Sequence, residues 1–122
     1  MDFQEMRGEL QTLLSDLSSV IAQGEWKWQQ MAADYDAKYS ASSDYDPSTK
    51  QDYHENAETC REIAQSLEAL SVPSDPDEIG SFMGTVRKEA SYCPRHWELN
   101  GQVSGVLDSM EQLVKELVRS RL

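Results

Sequence analysis

The sequence predicts an all-α fold, an antiparallel bundle of four to five helices. Apolar residues recur every three to four positions along most of the chain, which is helical spacing. No segment alternates apolar and polar residues with the period of two that is typical of a strand. Helix-capping signals separate the periodic segments. With a length of 122 residues, these observations indicate a single helical domain over 1–122.

The clearest amphipathic segment covers residues 2–22. Its apolar stripe consists of Phe3, Met6, Leu10, Leu13, Leu14, Leu17, Val20 and Ile21. A second stripe, from Trp28 to Tyr39, continues the first in phase after Gly24. Because an interior glycine costs a helix only about 1 kcal/mol, residues 2–41 form either one long helix or two helices kinked at Gly24. Because the stripe keeps its phase across Gly24, the long helix is favoured.

Three further helices are predicted from start and stop signals. An aspartate followed by a proline reads as an N-cap and the first helical position, and this pair occurs at Asp46-Pro47 and again at Asp75-Pro76. Cys93-Pro94 interrupts the pattern once more. The predicted helices therefore extend from Pro47 to about Ser71, from Pro76 to Cys93, and from about Pro94 to Arg121.

The two cysteines, Cys60 and Cys93, are predicted not to meet. If residues 71 and 76 lie level across the turn between their helices, Cys60 lies level with Arg87. The cysteines are then about 9 Å apart along the helix axis, which is too far for an unstrained disulfide. The N-terminus shows no secretory signal, so we expect reduced thiols and a cytoplasmic location.

Charge is distributed unequally along the chain. Residues 1–86 carry 17 acidic and 5 basic side chains, whereas residues 87–122 carry 5 and 6. The formal net charge of −11 argues against nucleic acid and anionic membranes as partners, because both require clustered Lys and Arg. A basic protein surface or a metal ion is compatible with this charge.

Two tryptophans lie off the apolar stripes of their helices. Trp26 is about 160° around the helix from Trp28, and Trp97 lies away from the apolar face of the last helix. An off-face tryptophan is a common interface anchor; the alternative is that each one packs under a neighbouring segment. Three glutamates share one exposed face of the second helix. The predicted partner-binding residues are Trp26, Trp97, Glu55, Glu58 and Glu62.

Metal binding is the main alternative for the acidic residues between positions 44 and 62. The oxygen side chains of Asp44, Asp46, Ser48, Asp52 and Glu55 are spaced in a way that resembles an EF-hand calcium loop. Thr49 stands where that loop requires glycine, and Pro47 fits a helix start. A capped helix after an acidic loop is therefore the competing interpretation.

Two other metal arrangements follow from the spacing. Glu55-x-x-Glu58 with Glu62 is similar to the helix with which all-α nucleotide pyrophosphohydrolases hold magnesium, and this resemblance implies a divalent-metal-dependent hydrolase. The second helix of that family's site, E-x-x-D, has no match in this chain. Part of a Cys/His zinc set is supplied by His54, Cys93 and His96. The competing interpretation is a pair of unrelated surface histidines.

The favoured hypothesis is a non-enzymatic acidic module of the inhibitor, immunity, anti-defence or chaperone type, which docks a basic protein partner and needs no cofactor. The sequence contains no nucleophile elbow, phosphate loop or dinucleotide fingerprint. The alternatives are a metal-dependent hydrolase or metal sensor, and a structural homodimer. The homodimer follows from the length of the first helix, which exceeds that of the helices available to cover its stripe.

Overall fold

A computed structural model describes residues 2–120 and confirms the all-α prediction. The four helices are α1 (Phe3–Tyr39), α2 (Pro47–Glu68), α3 (Ile79–Ser91) and α4 (Trp97–Ser120). They pack around one core in an up-down-up-down arrangement, in which each helix contacts the next and α4 returns to α1. Over the range that the structure describes there is no strand, and no helix is long and apolar enough to cross a membrane.

Both aspartate–proline signals start a helical segment, as predicted. The Asp46 carboxylate accepts a hydrogen bond from the Ser48 backbone N–H at 3.0 Å, and Pro47 is the first residue of α2. Asp75 caps a 3₁₀ turn, Pro76–Glu78, that leads into α3. The last helix starts at Trp97 rather than at Pro94, and its predicted end at Arg121 lies outside the described residues.

The long first helix is continuous through Gly24. Gly24 is buried, and a Cβ atom at this position would lie 3.0 Å from Cys60 Sγ. Glycine here serves the close approach of α2 and does not break α1. Because Lys27 pairs with Glu98 in the first turn of α4, most of α1 after this point projects past α4 and packs mainly on α2.

Aromatic side chains hold the projecting ends of α1 and α2 together. Trp28 stacks on Tyr53 with ring centroids 5.9 Å apart, and Tyr35 stacks on Tyr45 at 5.5 Å. Tyr35 and Tyr53 also meet edge to face at 6.2 Å. The Tyr35 hydroxyl accepts a hydrogen bond from the Asp46 backbone N–H at 2.9 Å, which ties the ring cluster to the start of α2.

The core is aliphatic and follows the predicted stripes. Its most completely buried side chains include Leu10, Leu14, Leu17, Ile21, Leu67, Ile79, Met83, Val86, Val103 and Met110. One hydroxyl lies among them: Ser18 donates a hydrogen bond to the Ala64 carbonyl at 2.9 Å. Within residues 2–120, every buried side-chain nitrogen and oxygen has a hydrogen-bond partner, so burial leaves no polar group uncompensated.

The predicted register between α2 and α3 is wrong. After α2 ends at Glu68, the chain continues in the same direction to the buried Val72, whose carbonyl accepts hydrogen bonds of 3.1 and 3.0 Å from the Arg7 guanidinium. The chain therefore passes beyond the end of α2 before it turns into α3. Because α3 starts beyond that end, more of its residues are needed to return to the level of Cys60 along the bundle axis. Cys93 Sγ consequently lies 3.8 Å from Cys60 Sγ, where the level turn predicted about 9 Å.

Replacement of Gly24 by alanine is expected to lower the free energy of unfolding by about 1 kcal/mol. Alanine gains about 1 kcal/mol in helix propensity, but displacing the buried Cys60 side chain costs about 2 kcal/mol. Gly105→Ala is the matched control, since a Cβ atom there meets nothing within 4 Å, and it should gain about 1 kcal/mol. Urea unfolding measures both variants. An equal gain at the two positions would show that the Cys60 contact imposes no constraint.

Candidate partner-binding surface

An open groove of about 810 Å³ separates the amino-terminal half of α1 from the carboxyl-terminal half of α4. Its lining residues are Glu5, Gly8, Glu9, Thr12, Leu13, Ser109, Gln112, Leu113 and Glu116. Leu113 belongs to the core and Leu13 packs against it. These two leucines give the groove an apolar base, while the exposed glutamates form its rim.

Small side chains leave the space between the two helices unfilled at the groove surface. Gly8 has no side chain, and a Cβ atom there would meet nothing within 4 Å. The hydroxyls of Thr12 and Ser109 turn back onto their own helices, donating hydrogen bonds of 3.2 Å to the Gly8 carbonyl and 3.0 Å to the Gly105 carbonyl. As a result, neither hydroxyl bridges the opening between α1 and α4.

No ion pair of the described residues neutralises the charge at the rim of the groove. The ion pairs within residues 2–120 are Lys27–Glu98, Lys50–Asp36, Arg61–Glu58 and Arg87–Glu111. None of them includes a glutamate of the rim, and the groove lining contains no lysine or arginine. Among the residues that the structure describes, the rim therefore presents three carboxylates without an ion-pair partner around an apolar base.

The two off-face tryptophans lie at the other end of the boundary between α1 and α4. Trp26 and Trp97 are 58% and 66% exposed. Each immediately precedes one member of the 2.6 Å ion pair between Lys27 and Glu98, and the Lys27 ammonium also lies 5.4 Å from the Trp26 ring centroid. The hydrogen bond and positive charge of Lys27 lower the pKa of Glu98. We call the boundary from the groove to this ion pair, with both tryptophans, the α1–α4 seam.

The three glutamates of α2 form a separate exposed face. Glu55 accepts a hydrogen bond from Gln51 at 3.4 Å, and Glu58 pairs with Arg61 at 3.5 Å. Glu62 is also exposed. In the described part of the chain, no hydrogen bond or ion pair joins this face to either tryptophan. The structure thus places the five predicted partner-binding residues in two groups and does not unite them.

The candidate calcium ligands Asp44, Asp46, Asp52 and Glu55 are not gathered into a site. Asp46 instead caps α2, where hydrogen bonds from the hydroxyl of Ser48 at 2.7 Å and from its backbone N–H lower the pKa of the Asp46 carboxyl. From Asp2 to Ser120, no group of three or more His, Cys, Asp or Glu side chains is arranged to hold a metal ion. This segment is therefore an acidic loop followed by a capped helix, which is the competing interpretation given for it above.

The candidate zinc residues are also dispersed. His54 is exposed on α2, whereas His96 is 4% exposed, so the interpretation of His96 as a surface histidine is wrong. His96 Nδ1 accepts a hydrogen bond from the Glu98 backbone N–H at 3.2 Å, and the ring lies 3.9 Å from Trp97 between centroids. Trp28 also packs edge to face on His96, with ring centroids 5.5 Å apart, so the two tryptophans cover the imidazole at the start of α4.

Cys93 lies against Cys60, and both are free thiols. Cys60 is buried, while Cys93 is partly exposed at the end of α3. The hydrogen bond from Cys60, together with the positive charge of Arg95, lowers the pKa of the Cys93 thiol. The same hydrogen bond and burial raise the pKa of Cys60. The two sulfurs therefore differ in both accessibility and acidity.

No protein-family model, curated protein or solved structure matches this chain. Sequence reasoning missed the groove, because it considered the acidic residues of α2 rather than those of α1 and α4. The signal that could have revealed it is a pair of small residues one turn apart on each helix: Gly8 and Thr12 on α1, and Gly105 and Ser109 on α4.

Proposed function

We propose that this protein is a non-enzymatic binding module whose α1–α4 seam docks a basic amphipathic helix of a partner protein. The observation that carries the proposal is the groove, in which an apolar base is rimmed by three glutamates that, within residues 2–120, have no ion-pair partner and no basic side chain beside them in the lining. A helix that lays its apolar face into a groove is a common mode of recognition. The rim selects helices that carry lysine or arginine beside that face.

The length of the seam sets the size of its occupant. From Glu5 to Lys27, α1 rises about 33 Å at 1.5 Å per residue. A helix of about 25 residues covers this distance, with leucine-type side chains at the groove and its other end beside Trp26 and Trp97. Exposed tryptophans that become buried on association are frequent energetic anchors. The groove therefore supplies charge selection, and the tryptophans supply apolar contact area.

The proposed mechanism is occlusion. A basic helix held in the seam is withdrawn from any other acidic or nucleic-acid surface that it would contact. This agrees with an inhibitor, immunity, anti-defence or chaperone role and requires neither a cofactor nor a reaction. A second copy of this chain is a poorer occupant, because it would bring its own rim glutamates and a net charge of −11 to the same surface.

Fluorescence anisotropy with a labelled Lys/Leu amphipathic peptide of about 25 residues tests the proposal. The wild-type chain should bind the peptide at low salt and lose affinity as salt screens the rim. Replacing Glu5, Glu9 and Glu116 by glutamine should weaken binding about tenfold, since each exposed ion pair contributes about 0.5 kcal/mol.

Replacing Glu55, Glu58 and Glu62 by glutamine is the matched control, because it removes the same charge from the face of α2. This triple variant should bind within about twofold of the wild type, as expected for charges remote from the interface. Equal losses of peptide affinity in the two triple variants would show that only the net charge of the chain matters. That result would overturn the seam as the binding site. Absence of binding at low salt would overturn the proposed occupant, and light scattering would then test self-association.

A further inference from the structure

The two thiols form a pair that partner binding does not use. Cys60 Sγ and Cys93 Sγ are 3.8 Å apart, and the residues are 33 positions apart in the sequence. Cys60 lies in the middle of α2, and Cys93 lies in the connection between α3 and α4. In a disulfide the sulfurs are about 2.05 Å apart. The two sulfur atoms would therefore have to approach each other by less than about 2 Å to form a covalent bond.

Neighbouring groups hold the pair in place. Gly24 leaves room for Cys60, since a Cβ atom at position 24 would lie 3.0 Å from the sulfur. The Pro94 carbonyl, next to Cys93, accepts a hydrogen bond of 2.8 Å from Trp28 Nε1 and lies 3.8 Å from Cys60 Sγ. The segment carrying Cys93 is therefore fixed against α1 as well as α2.

We propose that Cys60 and Cys93 are a redox modification site, at which a hydroperoxide converts the two thiols into an intramolecular disulfide. Cys93 is the thiol that meets the oxidant, because it is partly exposed and lies two residues from Arg95. Positive charge beside a partly exposed thiol favours the reactive thiolate. Cys60 is the resolving thiol, because it is buried and its sulfur lies 3.8 Å from Cys93 Sγ.

The oxidation proceeds in two balanced steps. The Cys93 thiolate attacks one oxygen of hydrogen peroxide, the O–O bond breaks, and Cys93 sulfenic acid and hydroxide are formed. The Cys60 sulfur then attacks Cys93 Sγ, the S–S bond forms as the S–O bond of the sulfenic acid breaks, and the leaving hydroxide takes the Cys60 proton to become water. Over both steps, two thiols lose two electrons and one peroxide is reduced to two waters.

The test treats the purified full chain with one equivalent of hydrogen peroxide, followed by intact mass and non-reducing peptide mapping. The expected product is a monomer about 2 Da lighter, with the peptides containing Cys60 and Cys93 linked. Closing this loop should raise the midpoint of thermal unfolding by about 10 °C, and dithiothreitol should reverse the rise. Disulfide-linked dimers, or Cys93 sulfinic acid without an internal link, would overturn the proposal.

Single variants identify the order of attack. In Cys60→Ala, Cys93 should stop at sulfenic acid, which dimedone traps as a mass adduct. In Cys93→Ala, the buried Cys60 thiol should remain unmodified under the same treatment. A dimedone adduct on Cys60 in Cys93→Ala would contradict the assigned roles. Circular dichroism before treatment checks that both variants are folded. The peptide mapping of the wild-type chain tests the disulfide without depending on the folding of any variant.

Discussion

Leu17→Ala is expected to lower the free energy of unfolding by about 3 kcal/mol, as large-to-small replacements in a close-packed core do. Leu17 is 0% exposed and belongs to the cluster in which all four helices take part. Removal of its side chain deletes apolar contacts and leaves a cavity that the helices cannot fully close. In a chain of this size the loss corresponds to a fall of about 10 °C in the midpoint of thermal unfolding.

Val118→Ala is the control for the core variant. Val118 lies on α4 and is 56% exposed, so its replacement should change the free energy of unfolding by less than about 0.5 kcal/mol. Urea unfolding, monitored by helical circular dichroism, measures both variants with the same baselines. Similar losses for Leu17→Ala and Val118→Ala would contradict the placement of the core along this stripe of α1.

Trp97→Ala is expected to weaken binding of the basic helical peptide about thirtyfold, the effect of losing an interface anchor worth about 2 kcal/mol. Trp26→Ala should cause a loss of similar size. Both side chains are largely exposed in the free protein, so their contact area is available to a partner. The unfolding midpoints of the two variants should stay close to that of the wild type.

Tyr92→Ala provides the matched control for an exposed aromatic residue. Tyr92 is 60% exposed, but it follows α3 and lies outside the α1–α4 seam. Its replacement should leave peptide affinity within about twofold of the wild type. If Tyr92→Ala weakens binding as much as Trp97→Ala does, the peptide is recognised by exposed aromatic surface in general and not by the seam.

The secondary structure was predictable because its signals are local. The apolar stripe keeps its phase through Gly24, which correctly favours one continuous α1. Asp46-Pro47 carries its own N-cap and first helical residue, and the structure forms both. The helical wheel placed Trp26 and Trp97 off the apolar stripes but left open whether each packs under a neighbouring segment, and in the structure both are exposed. Each of these properties depends on residues within one or two helical turns.

The register between helices was not predictable in the same way. The distance between Cys60 and Cys93 depends on how far the chain runs beyond α2 before it turns. That distance is fixed by the burial of Val72 and by the hydrogen bonds from Arg7 to the Val72 carbonyl. Arg7 and Val72 are 65 positions apart, and no periodic pattern in the intervening sequence reports their contact.

The groove escaped prediction for a related reason. Its apolar base comes from Leu13 and Leu113, which look like ordinary members of two separate stripes. Only the antiparallel pairing of α1 with α4 brings them side by side, with Glu9 and Glu116 at the rim. The acids of α2 were predicted as binding residues because three of them share one helix face. A site formed by two helices far apart in the chain needs the tertiary structure to be recognised.

The most direct test of the seam is a titration of the ¹⁵N-labelled chain with the basic helical peptide, followed by NMR. The chain has three tryptophans, and their indole N–H signals report on different places. The Trp26 and Trp97 signals should shift together with the backbone amides of Glu9 and Gln112. The Trp28 signal should stay, because its indole N–H donates to the Pro94 carbonyl at 2.8 Å. Shifts confined to the exposed face of α2, with both seam tryptophans unchanged, would contradict the α1–α4 seam as the binding surface.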